Sequence, residues 1–337
     1  MPSLYLSTPG AKASLVSEHL RVEIPDANDK SRSAVRTIPL HEIERAFIEE
    51  HTDISVSALC ELLRREIPVC FSSAHSGRVL GHALAPDGRA ANRIAHYQRA
   101  LDPGFALAVA ATLVDAKIAN SRRILQRLSA NRPDADCTHV NATLEHDRRA
   151  TLSATNLDSL RGHEGTAAGR YFEALSGFFP VHCPFERRSR RPPHNPANAI
   201  LSYGYTLLVG EMETVLHAIG LDPALGFLHE PEDKRPALAL DLIEPFRAPI
   251  VDALALDLLN HAILRPDTHF EHRNGGIYLT RDGRQRLHLG YERRLEREFT
   301  SEQTGKRTKL RLEFLNQVRS LRDSILSLSP FEPFLMN

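Results

Sequence analysis

The sequence predicts an α+β protein, a small N-terminal β-rich domain followed by a larger all-α catalytic domain, and three observations predict it. Short apolar runs with period-two alternation crowd the first 85 residues or so. Long stretches with apolar residues three and four apart fill the remainder. Between them, Ala85-Pro-Asp-Gly-Arg-Ala interrupts the apolar pattern with Pro and Gly close together. A chain of 337 residues, 42% hydrophobic and 25% charged, has the size and composition of about two folded domains.

The strands are expected at Leu4–Leu6, Leu15–Val16, Leu20–Ile24, Arg36–Ile38, Val69–Phe71 and Val79–Leu80. One helix interrupts them from Ser55 to Arg65: Ser55 can cap its free N–H groups, while Val56, Leu59, Cys60 and Leu63 share a face for the sheet. Residues 1–85 form the β-rich domain, 86–92 a linker and 93–337 the helical domain. Helices are expected over about 93–101, 105–129, 140–160, 165–178, 196–219, 241–264 and 306–328. An Arg- and Pro-rich segment, Arg187–Pro193, interrupts them, and so does a hairpin over Gly276–Leu289 that turns at Asp282-Gly283. No internal repeat or low-complexity tract is visible.

Lys plus Arg and Asp plus Glu both total 42, so the net charge is +0 and a site for a polyanion must be local. Lysine occurs only at 12, 30, 117, 234, 306 and 309, which leaves positive charge mostly to arginine, whose planar fork suits phosphate. Cys60, Cys70, Cys137 and Cys183 lack CxxC spacing, as expected of a reducing cytoplasm rather than a disulfide scaffold. The opening Met1-Pro-Ser-Leu-Tyr-Leu has no basic region before an apolar core, and no apolar run nears the ~18 residues of a membrane span. Phosphate-loop, dinucleotide, HExxH and GxSxG signatures are absent, which removes most grounds for nucleotide hydrolysis or serine-hydrolase chemistry.

Scattered acids and one histidine remain. Glu164, in Arg161-Gly-His-Glu-Gly-Thr-Ala-Ala-Gly-Arg-Tyr171, is expected near a helix N-terminus, where the dipole favours its charge and the following small residues allow close packing. The same pattern also fits an ordinary acidic helix start. His229 ends the loop Gly220-Leu-Asp-Pro-Ala-Leu-Gly-Phe-Leu-His229, one of 17 histidines. Asp241 and Glu244, at i and i+3, can share a metal or a polar cluster. Asp241 as N-cap, Glu244 as N3 and Pro245 in the first turn equally resemble a capping box. Arg187, Arg188, Arg190 and Arg191 make a local positive patch suited to phosphate, or a solvated loop, before a helix opened by Asn195-Pro196 that carries Asn198, Ser202 and Tyr205 along one face. Together Glu164, His229, Asp241 and Glu244 are oxygen donors with one imidazole, a set suited to Mg²⁺ or Mn²⁺ acting on a phosphodiester.

Four ordered blocks carry a resemblance: Glu164-Gly-x-Ala-Ala-x-x-Tyr171, Arg191-Pro-Pro-x-x-Pro-x-Asn198-Ala-x-Leu-Ser-Tyr203-Gly-Tyr205, Gly220-Leu-Asp-Pro-x-x-Gly-Phe-Leu-His229 and Leu240-Asp-Leu-Ile-Glu-Pro-Phe-Arg247. With the Lys117-x-x-Asn120 helix, they resemble the Cas-one family, the CRISPR-associated integrase and endonuclease of spacer acquisition, over nearly the whole chain. The resemblance implies a metal site of Glu164, His229 and either Asp241 or Glu244, since some relatives carry aspartate where this chain has Glu244. It also implies Mg²⁺ or Mn²⁺, DNA contacts that include Arg247, a homodimer joined mainly through the β-rich domain, and a complex with the smaller Cas-two protein. The implied reaction is attack by the 3′-hydroxyl of a DNA fragment on a phosphodiester at a CRISPR repeat, with His229 as ligand or as acid to the leaving oxygen. A mobile-element transposase of the same fold and a non-catalytic DNA-binding scaffold are the competing readings.

Overall fold

The computed structural model describes residues 3–26, 32–74, 76–85, 89–132, 135–301 and 304–336; of the expected linker at 86–92, residues 86–88 lie outside them. The chain divides into two compact units, Met1–Ala90 and Ala91–Asn337.

The first unit holds two four-stranded sheets. Strands β1 (Ser3–Leu6), β2 (Lys12–Val16), β3 (His19–Pro25), β4 (Ser33–Pro39), β5 (Arg45–Glu49) and β6 (Asp53–Ile54) precede helix α1 (Val56–Arg64), β7 (Val69–Ser72) and β8 (Val79–Ala83). One sheet runs β1-β5-β7-β8 and the other β4-β3-β2-β6. Strands β2 and β3 form a hairpin from Lys12 opposite Glu23 to Val16 opposite His19, so the two short apolar runs expected there are arms of one ribbon. Strand β5 is not among the expected strands. It pairs in parallel with β1 and β7, and Ala46, Phe47, Ile48 and Glu49 are all buried, which erases the alternation that marks a half-exposed strand. Ser55 caps α1, its hydroxyl accepting the Ala58 N–H at 3.2 Å, and Leu62 packs into a core with Leu6, Leu20, Leu40 and Val69.

The second unit is helical: α2 (Ala90–Ala100), α3 (Pro103–Asn131), α4 (Thr138–Leu152), α5 (Leu157–Ser176), α6 (Pro196–Ile219), α7 (Ala237–Leu242), α8 (Glu244–Phe246), a π-helical stretch (Arg247–Asp252), α9 (Ala253–Asn260) and α10 (Pro266–His269). Strands β9 (Phe270–Arg273) and β10 (Gly276–Leu279), helix α11 (Arg281–Leu295), strands β11 (Glu298–Thr300) and β12 (Arg307–Lys309) and helix α12 (Leu310–Ile325) complete it. Among the described residues no helix is long and apolar enough to cross a membrane.

Four expectations are corrected. The break expected just before residue 165 lies instead at Asn156, whose side chain caps α5 by accepting the Ser159 N–H at 2.8 Å; Glu164 therefore stands in mid-helix, away from the terminal dipole. The continuous helix expected over 241–264 is α7, α8, the π stretch and α9, because Pro245 and Pro249 supply no N–H to a helical ladder. The 306–328 helix begins later, at Leu310, after β12. The hairpin does not turn at Asp282-Gly283: β9 and β10 turn at Asn274 and Gly275, both at positive φ, while Thr280 caps α11 by accepting the Gly283 N–H at 3.2 Å. An Asp-Gly pair in the first turn of a capped helix reads locally like a tight turn.

Candidate active site

Two separated segments converge on Lys117 of α3. Its ammonium donates to Glu164 Oε1 from α5 and lies 2.6 Å from Glu244 Oε2 of α8. Arg247, one turn beyond Glu244, places Nη2 2.9 Å from Glu244 Oε1. Burial alone would raise the Glu244 carboxyl, but Arg247 and Lys117 outweigh it and hold the group down at about 2. Burial would likewise lower Lys117, and the two glutamates more than reverse it. The turn bearing Glu244 is fixed from behind: Asn120 Nδ2 donates to Pro245 O at 2.7 Å and Gln317 Nε2 to Leu242 O at 2.7 Å.

His229 arrives by a loop. Gly220 ends α6 in the left-handed conformation, φ 79°, which glycine adopts without strain. Asp241, in α7, then gathers the loop: its Oδ2 accepts the N–H groups of Phe227 at 2.6 Å and Leu228 at 2.9 Å, and its Oδ1 accepts that of His229 at 3.0 Å. Oδ1 also stands 2.6 Å from His229 Nδ1, which makes Nδ1 the protonated nitrogen and leaves the Nε2 lone pair for other use. From α5, Arg161 donates twice to Leu228 O, at 3.1 and 2.8 Å, tying the loop to the helix that carries Glu164. His229 lies in the electrostatic neighbourhood of Glu244, behind Arg247 and Lys117 in its influence on that carboxyl.

The capping box that the sequence equally allowed at Asp241 is thus absent. Asp241 is fully buried inside α7 and its oxygens are committed to the loop and to the imidazole, whereas Glu244 faces Glu164 across Lys117.

A cleft of about 580 Å³, counted to its open mouth, is lined by Lys117, Glu164 and Glu244 together with Arg190, Tyr205 and Arg247. Its floor is a second buried acid, Asp252, at the end of the π stretch. Tyr171 and Tyr205 each donate to it, Tyr171 at 2.9 Å to Oδ2. Burial pushes Asp252 up to about 6 against those hydrogen bonds. The Arg247 guanidinium lies over the Tyr205 ring, 4.6 Å from its centroid, and that of Arg188 at 5.4 Å.

The arginine segment divides in two. Arg187, Arg190 and Arg191 are exposed. Arg188 turns inward and donates to Asn198 Oδ1 at 2.8 Å and Ser202 Oγ at 3.1 Å. Of the other expected DNA contacts, Tyr205 is buried but lines the cleft and Asn198 is buried: Asn198 closes the loop by donating to Arg187 O at 2.8 Å and accepting the Ser189 N–H at 2.9 Å. Sequence reasoning gave Lys117 no role at the site and did not find Asp252 or Arg161. Arg161 lies about one helical turn before Glu164 on α5, a spacing that could have marked it.

A hard divalent cation fits this donor set. Two carboxylates share the Lys117 ammonium, and among the described residues the buried Glu244 Oε2 has no hydrogen-bond partner beyond its ion pair, while His229 does not line the cleft. Among the described residues no group of three His, Cys, Asp or Glu side chains stands at ligating spacing, and Lys117 lies between the two glutamates.

The chain is similar to known proteins over most of its length. The CRISPR-associated exonuclease Cas4/endonuclease Cas1 fusion of Geobacter sulfurreducens is 36% identical over 306 residues, 88% of this chain and 53% of the relative, so the chain spans about half of that fusion. The CRISPR-associated endonuclease Cas1 1 of Thermus thermophilus is 34% identical over 335 residues, 99% of each chain. Among solved structures, a casposase bound to integration product superposes with a TM-score of 0.86 over 98% of this chain and 92% of that one, at 23% identity, a likeness of fold alone. A Cas6-RT-Cas1–Cas2 complex chain matches with a TM-score of 0.80 at 25% identity, over 100% of this chain and 36% of that one.

Fold, site and sequence relatives together define a class, the metal-dependent enzymes that cleave and join DNA in CRISPR spacer acquisition. The chain belongs to the family described as CRISPR associated protein Cas1, whose model matches residues 4–293. The transposase and scaffold readings give way to it, since these sequence relatives are CRISPR-associated endonucleases.

Proposed function

We propose that this chain inserts short DNA fragments into a CRISPR array, with Glu164, Glu244 and His229 as the ligands of Mg²⁺ or Mn²⁺. The observation that carries the reading is the convergence of Glu164 and Glu244, from separate helices, on a single cation in a cleft with arginine at its edge. The ion would supply charge neutralisation at the phosphodiester under attack. In that reaction the fragment's 3′ oxygen forms a new bond to phosphorus as the target strand's 3′ oxygen leaves and takes up a proton.

The chain's own residues do the positioning. Asp241 orients His229 by holding Nδ1, so Nε2 serves as the ligand; the alternative, His229 as acid to the leaving oxygen, requires a proton on that same Nε2. Arg247 keeps Glu244 ionised and turned toward the cleft. Arg187, Arg190 and Arg191 hold phosphates of the DNA. Asp241 is accordingly a positioning residue rather than a ligand, Arg188 and Tyr205 line the cleft, and Asn198 holds Arg188 in place.

The reading extends to a homodimer formed through the β-rich unit, to action in the cytoplasm, and to assembly with a Cas2 protein, a pairing found in the Cas6-RT-Cas1–Cas2 complex. The decisive experiment incubates the purified chain, with and without a Cas2 partner, with a fragment bearing 3′-hydroxyls and a plasmid carrying a repeat array. Joined products should require divalent metal and vanish with Glu164→Ala or His229→Ala while DNA binding persists. Full strand transfer by either variant would overturn the assignment.

A further inference from the structure

One cation at this site has no part in the ligand set. Lys117 reaches between Glu164 and Glu244 from a third helix, and its side chain is 17% exposed against 26% and 5% for the two acids. Two carboxylates this close together repel strongly in a protein interior. Arg247 already engages Glu244 Oε1, and among the described residues the buried Oε2 has no hydrogen-bond partner, so the ammonium is the charge that faces it. The atoms Lys117 engages, Glu164 Oε1 and Glu244 Oε2, are the ones a metal shared by these acids would need.

We infer that Lys117 is an internal stand-in for the metal: it holds the two glutamates together while no ion is bound and swings aside when the ion enters. The inference rests on the reading of Glu164 and Glu244 as ligands. Lysine suits the part because its charge is compact and its four-carbon stem flexible, whereas an arginine fork would grip both carboxylates and release them less readily. The cleft beside Lys117 gives the retracting side chain room. Metal affinity is then set by a competition written into the fold, and the acids need little rearrangement once the ammonium leaves.

The test measures Mn²⁺ binding to the full chain by electron paramagnetic resonance of the free ion, independently of activity. Lys117→Met should bind Mn²⁺ at least about tenfold more tightly than the wild type, since one nearby positive charge no longer opposes the ion. Its melting temperature should fall in chelator and rise with Mn²⁺ by more than that of the wild type. Lys117→Arg should bind Mn²⁺ more weakly than the wild type, and it decides the matter alone if Lys117→Met fails to fold even with metal. Equal or weaker binding by a folded Lys117→Met, or equal or tighter binding by Lys117→Arg, overturns the inference. If a Glu164→Gln, Glu244→Gln double variant binds Mn²⁺ as well as the wild type, the ligand assignment itself falls and takes the inference with it.

Discussion

Asp241 and His229 meet at 2.6 Å, Oδ1 to Nδ1, and the same carboxylate accepts the backbone N–H groups of residues 227, 228 and 229. One buried side chain therefore fixes both the course of a loop and the orientation of the imidazole at its end. Asp241→Asn keeps the volume but puts an amide NH₂ where an acceptor is needed, leaving at least one N–H unmatched. The expected loss is about 2–4 kcal/mol of stability, together with most strand transfer. Thermal denaturation beside the joining assay checks it, and an unchanged melting temperature would refute it.

Gly226 tests the same loop sterically. A Cβ there would stand 2.7 Å from Asp241 Oδ2 and 2.9 Å from the backbone carbon of Ala237, and the helix backbone has little freedom to yield. Gly226→Ala should cost about 1–3 kcal/mol and displace His229, lowering strand transfer while leaving DNA affinity in place. Wild-type activity would show that the loop has slack.

The two buried acids of the cleft should give stability profiles of opposite sign, measured with chelator present. Asp252 is raised from 3.8 to about 6, chiefly by burial, so the folded chain holds its proton longer and stability falls as pH climbs through that window. Asp252→Asn removes the effect, and between pH values of about 4 and 7 the comparison should move in its favour by up to about 3 kcal/mol. Glu244 is lowered from 4.5 to about 2, Arg247 and Lys117 prevailing over burial. Its contribution is complete above 4.5 and is lost as pH falls toward 2, so Glu244→Gln costs most near neutrality. Parallel difference curves for the two variants would contradict the assignment.

The arginine segment should divide by function as it does by burial. Replacing the exposed Arg187, Arg190 and Arg191 with Ala tests the proposed phosphate contacts: the salt dependence of DNA binding, plotted on logarithmic axes, should flatten by about 2 to 3 units of slope. Arg188→Ala should instead destabilise the fold through its lost bonds to Asn198 and Ser202, with the slope nearly unchanged. Fluorescence anisotropy titrations at several salt concentrations separate the two.

What the sequence made legible was local. Ser55 and Asn195 cap their helices as their positions suggest, and α6 runs from Pro196 to Ile219 as its pattern indicates, closed by Gly220. Strand β5 escaped because a strand buried on both faces loses its alternation, and the start of α5 escaped because helical periodicity runs smoothly past the cap at Asn156. Lys117 could be seen as part of a motif, but its pairing with Glu164, 47 residues away, leaves no local trace. Nor does spacing reveal that Asp241 and Glu244, equal candidates as oxygen donors, point to different places, one into the loop and the other into the cleft.

The π-helical stretch from Arg247 to Asp252 hydrogen-bonds five residues apart, which brings its two ends to the same side of the chain. Wound as an α-helix instead, at about 100° per residue, the steps from Arg247 to Asp252 would leave the two side chains on roughly opposite sides. The wider winding is thus what lets one short stretch offer the cleft both an arginine and an acid.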